Sequence, residues 1–405
     1  MHTRADGSST DGRRSLRSLL WQADAILMTN PLLESFGNAK TVRNSNSSRF
    51  GKMMRLHFEP TGAVAGAYIK TYLLEKSRAV AITNPERNYH VFYQLMAAAP
   101  KADKGAHLAA LKPSQLRMLS QSTCYALDGV SDADGFAATA AAMGALGIPA
   151  DEQSQLWRLI SALLLLGNVA FESDNDVADV SSAGGSAEAL AAAEALLQCD
   201  ALAPKLTSRR MATKAVGGKR MSVYTISYTR PQAEAVRDAV VKAIYVAVFD
   251  WIVGKVNAQL GGGAAAAADE AATIATRALP YVGLLDIFGF ENFALNSFEQ
   301  LCINFANEKL QQFFLNQVFK EEEALHVKEG VAWKEVEYQD NVKGIELLEK
   351  PPNGIFRLLD SQCKTPNATE ASFCKELNRI HGKGGMLAPV RLHKLRDDEA
   401  FVVRH

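Results

Sequence analysis

Hydrophobic and polar positions repeat with two different periods along this chain. In residues 16–35 apolar side chains recur every three or four positions, which predicts a helix interrupted at Asn30-Pro31, because a residue before proline avoids helical dihedral angles. Residues 50–58 and 63–74 alternate as strands do, and the turn-prone stretch 59–62 joins them. The pattern therefore predicts a helix followed by a β-hairpin.

The middle of the chain has a mainly helical pattern. A polar stretch at 174–186 predicts a loop. A long helix is predicted from Pro231, a favourable residue for a first helical turn, to the glycines at 261–263, where an alanine-rich, low-complexity insertion begins. The clearest shorter helices are predicted at 89–98, 134–146 and 152–166.

A continuous apolar run at 281–288, closed by Gly289, predicts a strand buried on both faces in a mixed sheet. Asp286 lies near the carboxyl end of this run. Ligands collect at that edge of open α/β sheets, so Asp286 is placed for a metal-bound phosphate. The alternative is an aspartate that simply ends a core strand.

One long helix is predicted at 296–323. Ser297 and Gln300 have the spacing of a capping box, and three glutamates at 321–323 predict a bend or frayed end, because negative charge is unfavourable at a helix C-terminus. The helix carries an apolar stripe that we interpret mostly as core: Phe298, Leu301, Phe305, Leu310, Phe313 and Phe314.

Composition narrows the class of protein. The composition, with 48% hydrophobic and 22% charged residues, is typical of a soluble globular protein, and the length of 405 residues predicts two or three subdomains. The polar stretch at 1–15 is interpreted as a disordered leader or surface loop. Lys plus Arg and Asp plus Glu both number 44, so no overall charge favours nucleic acid. Five scattered cysteines favour a reduced cytosolic setting, and the apolar run 159–171 is too short to span a membrane.

The segment NSNSSRFGK at 44–52 contains side chains that can contact a phosphate group, its metal ion and a water molecule. Ser47 and Ser48 can place one hydroxyl oxygen on Mg²⁺ and another near the water that attacks a γ-phosphate, and Asn44 can donate to phosphate oxygens. Arg49 is suited equally to phosphate and to a carboxylate such as Glu291. Alone, the segment is also compatible with an ordinary turn; its occurrence together with DIFGFE at 286–291 favours the two switch loops of a nucleotide-driven motor.

The chain resembles the myosin motor domain from about Leu19 to its last residue. Several independent segments match in the order of that family. They are NPLLESFGNAKTVRNSNSSRFGK (30–52), YLLEKSRAV (72–80), ERNYHVFYQL (86–95), LLLLGNVAF (163–171), KAIYVAVFDWIVGKVN (242–257), GLLDIFGFENF (283–293) and NEKLQQFF (307–314).

The resemblance implies an α/β fold: an incomplete P-loop NTPase-like mixed sheet with large, mainly helical actin-binding subdomains. Residues 16–405 would form a partial motor domain. Its parts would be switch I at 44–52, an upper helical subdomain at about 80–260, switch II at 286–291, the relay helix at about 296–323, and a lower actin-binding helix-loop-helix at about 351–381.

The resemblance also implies ATP and Mg²⁺ as cofactors. The residues that serve them would be Ser48 as a magnesium ligand, Asp286 reaching the metal through water, Asn44 at the phosphates, Ser47 holding the attacking water, Gly289 donating its N–H to the γ-phosphate, and Arg49 pairing with Glu291 when the switches close.

Actin filaments are the implied partner. Lys214, Lys219 and Arg220 would lie on a surface loop that approaches actin, although a bare charge cluster is also typical of a solvated loop. Four apolar residues of the helix-loop-helix would dock on actin or, alternatively, form the packing seam of its two helices: Ile355, Phe356, Leu358 and Leu359.

The chain departs from the family in one respect that bears on activity. No G-x-x-x-x-G-K-[ST] phosphate loop occurs in the 405 residues, and the converter and lever are not matched, so light chains and cargo would bind only through regions outside this chain. We expect the isolated chain neither to bind ATP usefully nor to hydrolyse it, and to be poorly soluble through exposed sheet edges.

Three functions remain open. The first is a cytoplasmic, cytoskeletal motor ATPase of a myosin complex, of which this chain would be one part. The second is a non-enzymatic pseudo-motor or actin-binding fragment, and the third is a different nucleotide-dependent enzyme.

Overall fold

The computed structural model describes residues 26–212, 223–261, 279–293, 296–333, 340–366, 368–382, 387–389 and 401–403. The predicted leader at 1–15, the start of the first predicted helix and the alanine-rich insertion lie outside these residues. Helices and small antiparallel sheets are both present, as the two periods predicted. The chain divides into two compact units, Met1–Ile287 and Phe288–His405.

The first unit holds four small sheets among its described residues. A three-stranded antiparallel sheet has the order β4-β3-β9, and three two-stranded sheets pair β1 with β2, β5 with β6 and β7 with β8. The strands are β1 (Asn38–Ala39), β2 (Ser47–Ser48), β3 (Gly51–Phe58), β4 (Val64–Tyr72), β5 (Phe171–Asp174), β6 (Val177–Val180), β7 (Ser208–Ala212), β8 (Val223–Ser227) and β9 (Tyr281–Asp286).

The β3–β4 hairpin confirms the prediction from alternating residues. Its turn is closed by the Glu59 N–H, which donates to the Ala63 carbonyl at 2.8 Å, and Gly62 adopts a φ of 82° that favours glycine. Met54, Ala67 and Ile69 are buried on one side of the sheet. The hairpin thus contributes one face to the core of the first unit.

The predicted helices of the first unit are present with small shifts at their ends. The described helices are α1 (residues 26–37), α2 (His90–Ala98), α3 (Lys101–Lys104), α4 (Ala106–Ala109), α5 (Asp132–Ala145), α6 (Ala150–Gly167), α7 (Ser186–Leu197), α8 (Leu202–Thr207) and α9 (Arg230–Leu260).

The predicted interruption at Asn30-Pro31 is wrong, because α1 continues through it. Proline removes one donor from a helix and disfavours a helical conformation before it. Here Leu32, Leu33 and Phe36 are almost completely buried, so packing of the helix outweighs the local cost. The local sequence Asn30-Pro31 does not show how deeply the helix will be buried, so this outcome could not be predicted from it.

The predicted polar loop at 174–186 is wrong for its first half, and holds for residues 181–185. Strands β5 and β6 form a tight hairpin, with Asn175 and Asp176 at φ values of 47° and 62° in its turn. Asn and Asp tolerate the left-handed region better than other side chains, so two of them in succession make a two-residue turn. A polar sequence is therefore compatible with regular structure at this position.

The long helix α9 is the spine of the first unit. It starts one residue before Pro231 and ends at Leu260, immediately before the predicted stop at Gly261, and its buried face includes Val241, Tyr245 and Ile252. Tyr245 stacks on Tyr89 with ring centroids 4.8 Å apart, and its O–H donates to the Phe36 carbonyl at 2.7 Å.

The side chain of Asn257 fastens α9 to the sheet. Its Nδ2 donates to the Ile69 carbonyl and its Oδ1 accepts from the Ile69 N–H, both at 2.8 Å. The backbone N–H and carbonyl of Ile69 in β4 therefore both bond to the buried side-chain amide of Asn257.

Strand β9 contradicts the prediction of a strand buried on both faces. All its residues are exposed, including Val282 and Leu284 at about half of their surface. β9 lies at the edge of the three-stranded sheet, and in the part of the chain that the structure describes β3 is its strand neighbour on one side alone. A continuous apolar run does not distinguish an edge strand of this kind from a central one.

The second unit is a small helical unit with one described strand pair. Its core joins Leu348, Ile355 and Leu377. Its described elements are α10 (Phe298–Leu315), a π-helical segment (Asn316–Lys320), α11 (Glu321–Glu329), α12 (Val342–Glu349), α13 (Ile355–Lys364), α14 (Glu370–His381), β10 (Leu387–Pro389) and β11 (Phe401–Val403).

The helix predicted at 296–323 begins as expected and continues further. The Ser297 N–H donates to Gln300 Oε1 at 2.9 Å, so this half of the predicted capping box is present. The glutamates at 321–323 follow the π-helical segment and begin α11, and the helical backbone continues through them, since the Glu321 N–H donates to the Asn316 carbonyl. In place of the predicted bend or frayed end at the glutamates, the structure has a π-helical segment immediately before them.

The apolar stripe of α10 is mostly not core. Phe298, Phe313 and Phe314 are about half exposed, whereas Leu301 and Phe305 pack against the small core of the second unit. Among the described residues, no helix is long and apolar enough to cross a membrane.

Candidate functional site

The end of the segment 44–52 and the first residue of the segment 286–291 lie at one end of the three-stranded sheet of the first unit. In the antiparallel pairing of β3 with β9, Lys52 lies opposite Asp286. Strand β3 therefore begins where β9 ends, and the segment 44–52 leads into the same sheet end at which Asp286 stands. This register places Lys52, four residues after Ser48 in the chain, opposite Asp286.

The segment that contains Asn44 is a hairpin loop between β1 and β2. Thr41 closes the loop, because its N–H donates to the Asn44 carbonyl at 2.8 Å and its Oγ accepts from the Asn44 N–H at 3.2 Å. The Asn44 Oδ1 accepts from the Asn46 N–H at 2.9 Å, which turns the amide NH₂ to the opposite side. Asn44 is exposed, so this orientation suits the predicted role of a donor to phosphate.

Asn46 connects this loop to three surrounding elements. Its Nδ2 donates to Glu34 on α1 at 3.0 Å, and its Oδ1 accepts from Asn38 Nδ2 on β1 at 3.0 Å. The same oxygen lies 3.1 Å from Nε2 of His90 on α2. Burial, reinforced by the charge of Arg87, lowers the pKa of His90 to about 4, so the imidazole is neutral at physiological pH.

The two serine hydroxyls have different partners. Ser48 Oγ donates its proton to the Phe50 carbonyl at 2.8 Å, which leaves its lone pairs for a cation. Ser47 Oγ accepts from Nη1 of Arg49 at 3.2 Å. Hydroxyl and carboxylate oxygens are the ligand types that Mg²⁺ uses in nucleotide sites, where few protein ligands are needed, so Ser48 and Asp286 fit this metal.

Arg49 is buried and paired with a carboxylate that the sequence patterns did not single out. Its Nε donates to Oε2 of Glu75 at 2.6 Å, and the two residues are 1% and 6% exposed. Glu75 belongs to the segment YLLEKSRAV, which the resemblance matched without assigning it a role. A matched segment without an assigned role was therefore the one feature of the sequence analysis that pointed to Glu75.

Glu75 is shared with a second arginine. The same Oε2 accepts from Nε of Arg78 at 2.6 Å, and Nη1 of Arg78 lies 2.9 Å from Oε2 of Glu86. Oε1 of Glu86 accepts from the Val42 N–H at 3.0 Å, so these ion pairs are connected to the loop between β1 and β2. Burial would raise the pKa of Glu75, but the charges of Arg78 and Arg49 outweigh it and hold that pKa below its ordinary value.

Gly289 and Glu291 belong to the second unit. Gly289 is exposed, and a Cβ added there would meet no heavy atom within 4 Å. The backbone of Glu291 is clamped by Asn304 of α10: its N–H donates to Oδ1 at 2.8 Å, and its carbonyl accepts from Nδ2 at 2.7 Å. The predicted pairing of Glu291 with Arg49 stays a prediction.

The predicted actin-binding residues fall into two groups. Lys214, Lys219 and Arg220 lie outside the described residues. Ile355 is fully buried in the core of the second unit, as a packing-seam residue would be. The other three apolar residues are half-buried, and their role stays a prediction: Phe356, Leu358 and Leu359.

Comparison with known proteins identifies the family of this chain. The family model described as myosin head (motor domain) matches residues 14–405. Myosin-5 of Arabidopsis thaliana is 43% identical over 355 residues, which cover 87% of this chain and 22% of that protein. Myosin-17 of the same organism is 42% identical over 355 residues, covering 87% and 22%, and its Myosin-15 is 42% identical over 374 residues, covering 92% and 23%.

The chain thus spans less than a quarter of the length of these relatives, while the family model and the relatives cover most of the chain itself. On these matches, the chain belongs to the myosin head (motor domain) family.

Proposed function

We propose that this chain is part of an actin-based motor head that couples Mg-ATP binding and hydrolysis to actin filament binding. The observation that supports it most is the pairing of Lys52 with Asp286, which brings the end of the first switch-like segment beside the start of the second. Nucleotide-driven motors need two phosphate-sensing loops near one another.

The predicted site residues would have separate roles at the phosphates. Ser48 and Asp286 would hold Mg²⁺, which neutralises phosphate charge when bound with ATP. Ser47 would orient the attacking water, Asn44 would donate to phosphate oxygens, and Gly289 would offer its backbone N–H. Each of these roles comes from the family resemblance, and the free lone pairs of Ser48 and the exposed amide of Asn44 are compatible with it.

The fold and setting of this motor follow from the same proposal. Strands β3, β4 and β9 would belong to a P-loop NTPase-like mixed sheet. Actin filaments would be the partner, through the helix pair α13–α14 and the loop that holds Lys214, Lys219 and Arg220. The protein would act in the cytoplasm on the cytoskeleton.

A non-enzymatic actin-binding protein is the second candidate. The 405 residues hold no G-x-x-x-x-G-K-[ST] segment, as expected for such a protein. It would keep the actin contacts and lose sensitivity to ATP.

Actin co-sedimentation with and without Mg-ATP, together with phosphate release, separates the candidates. The protein is expressed from its native transcript, sequenced through its 5′ end and past His405. The motor proposal expects ATP to release the protein from filaments and actin to accelerate phosphate release. Binding that ignores ATP, without phosphate release, would favour the second candidate, and absence of binding would contradict both.

A pair of variants tests the assigned chemistry. Ser48→Ala removes the predicted magnesium ligand and should abolish actin-activated phosphate release. Ser120→Ala, on an exposed turn, is the matched control and should keep the rate of the native protein.

A further inference from the structure

We propose that Glu75 is a positioning residue of the nucleotide site: it holds Arg49, and Arg49 in turn orients the hydroxyl of Ser47. This inference rests on the proposed function, because Ser47 matters only where a water attacks phosphate. The contacts form a continuous path. Glu75 Oε2 accepts from Arg49 Nε at 2.6 Å, and Arg49 Nη1 donates to Ser47 Oγ at 3.2 Å.

The guanidinium transmits the position of Glu75 because it is planar and rigid. A carboxylate on Nε fixes the plane of the fork, and thereby the direction of Nη1. The backbones are also joined, since the Glu75 N–H donates to the Arg49 carbonyl at 2.9 Å. Side chain and main chain therefore hold the same two segments together.

The orientation has a chemical consequence at Ser47. A hydroxyl that accepts a hydrogen bond from Arg49 directs its own proton away from that donor. Ser47 is thus set to donate towards the opposite side, and one of its lone pairs is already used. Without Arg49 in this position, the hydroxyl rotor would be free to turn.

Glu75 is itself held rigidly. Arg78 Nε donates to the same carboxylate oxygen at 2.6 Å, and the Tyr89 O–H donates to the Glu75 carbonyl at 2.8 Å. The carboxylate and the Arg49 guanidinium are almost inaccessible to solvent. Water does not replace a lost partner easily at such a site, so removal of the charge should be felt at Ser47.

Glu75→Gln and Glu86→Gln are a matched pair of variants. Both residues are buried, both contact Arg78, and both changes remove one negative charge at nearly constant volume. The described contacts of Glu86 lead to Arg78 and to the Val42 N–H. A general loss of stability should therefore be similar in the two variants.

Hydrogen exchange in the protein expressed from its native transcript reads the positioning without requiring ATP hydrolysis. We expect Glu75→Gln to accelerate exchange of the Arg49 and Glu75 amides by roughly tenfold, the effect of losing one charge-assisted hydrogen bond, and Glu86→Gln to leave them within about twofold of the native protein. Equal acceleration in both variants, or none in Glu75→Gln, would overturn the inference.

Single-turnover cleavage of ATP in the same protein gives the second readout. The inference expects Glu75→Gln to slow cleavage by roughly tenfold while ATP binding keeps its rate, and Glu86→Gln to change neither. A native protein without cleavage would contradict the proposed function, and the exchange data would still decide the role of Glu75. Slowed binding with unchanged cleavage would count against the positioning role.

Discussion

Arg49 has two carboxylates assigned to it: Glu75 by direct contact and Glu291 by family resemblance. At the scale of single residues, we expect Arg49→Glu to stop ATP hydrolysis in the proposed motor, expressed from its native transcript, while sparing nucleotide binding. The double reversal with Glu291→Arg should restore part of the activity, because the pair is re-formed with opposite polarity. Recovery stays partial since the new glutamate would face Glu75.

Steady-state phosphate release by Arg49→Glu and by the double variant tests this prediction, and Glu291→Arg alone is the control. A double variant no more active than Arg49→Glu would argue against the ion pair.

His90 makes stability depend on pH. Its folded pKa of about 4 lies below the ordinary value of 6.5, so between these values the unfolded chain binds a proton that the folded chain does not. The free energy of unfolding therefore falls as the pH falls, by about 1.5 kcal/mol between pH 6.5 and 5 from this group. The contribution of Glu75, whose pKa is lowered, is lost at still lower pH.

Urea unfolding between pH 5 and 7 measures this slope. The His90→Gln variant should lose that part of the pH dependence. A slope equal to that of the native protein would show that another group is responsible.

At the scale of elements, prediction from sequence worked where local pattern decides the outcome. The β3–β4 hairpin and α9 were found from alternation, a turn and Pro231. It failed where tertiary packing decides. The continuous α1 and the exposed β9 depend on what lies beside them, and a single sequence does not show that.

The candidate site shows the same division. Ser47, Ser48 and Asp286 belong to recognisable segments, and the pairing of Lys52 with Asp286 brings the end of the first segment beside the start of the second. Glu75 was missed as a site residue because it lies 26 residues along the chain from Arg49, a separation without a periodic meaning. Its place beside the arginine is fixed by pairing of the two segments, since the Glu75 N–H donates to the Arg49 carbonyl at 2.9 Å.

The clamp on Glu291 leads to a prediction about α10. Asn304→Ala removes both side-chain contacts to the Glu291 backbone, whereas Asn307→Ala removes a contact within α10 itself, to the Ile303 carbonyl. We expect the first variant to raise amide exchange at Glu291 by roughly tenfold or more, because the N–H loses its acceptor. The second should leave that amide unchanged.

Mass spectrometry of the exchanged segment checks this clamp. An unchanged Glu291 amide in Asn304→Ala would show that the main chain is held by other contacts.

At the scale of the whole molecule, the missing phosphate-loop pattern sets the expected affinity. If such a loop supplies about five contacts of roughly 1.5 kcal/mol each, its absence costs about 7 kcal/mol, or about five decades in the dissociation constant. We therefore expect calorimetry of the 405-residue chain to detect no binding at micromolar Mg-ATP. Micromolar affinity would contradict this, and a titration with Mg²⁺ alone is the control.

The pairing of β3 with β9 also has a consequence during synthesis. The two strands are separated by about 230 residues, yet they are neighbours in the sheet. At typical translation rates, β9 leaves the ribosome roughly 10 to 50 seconds after β3. During that interval one edge of β3 lacks its partner strand, and an unpaired edge is a template for wrong partners. The nascent chain therefore exposes this edge to wrong partners until its second switch segment is made.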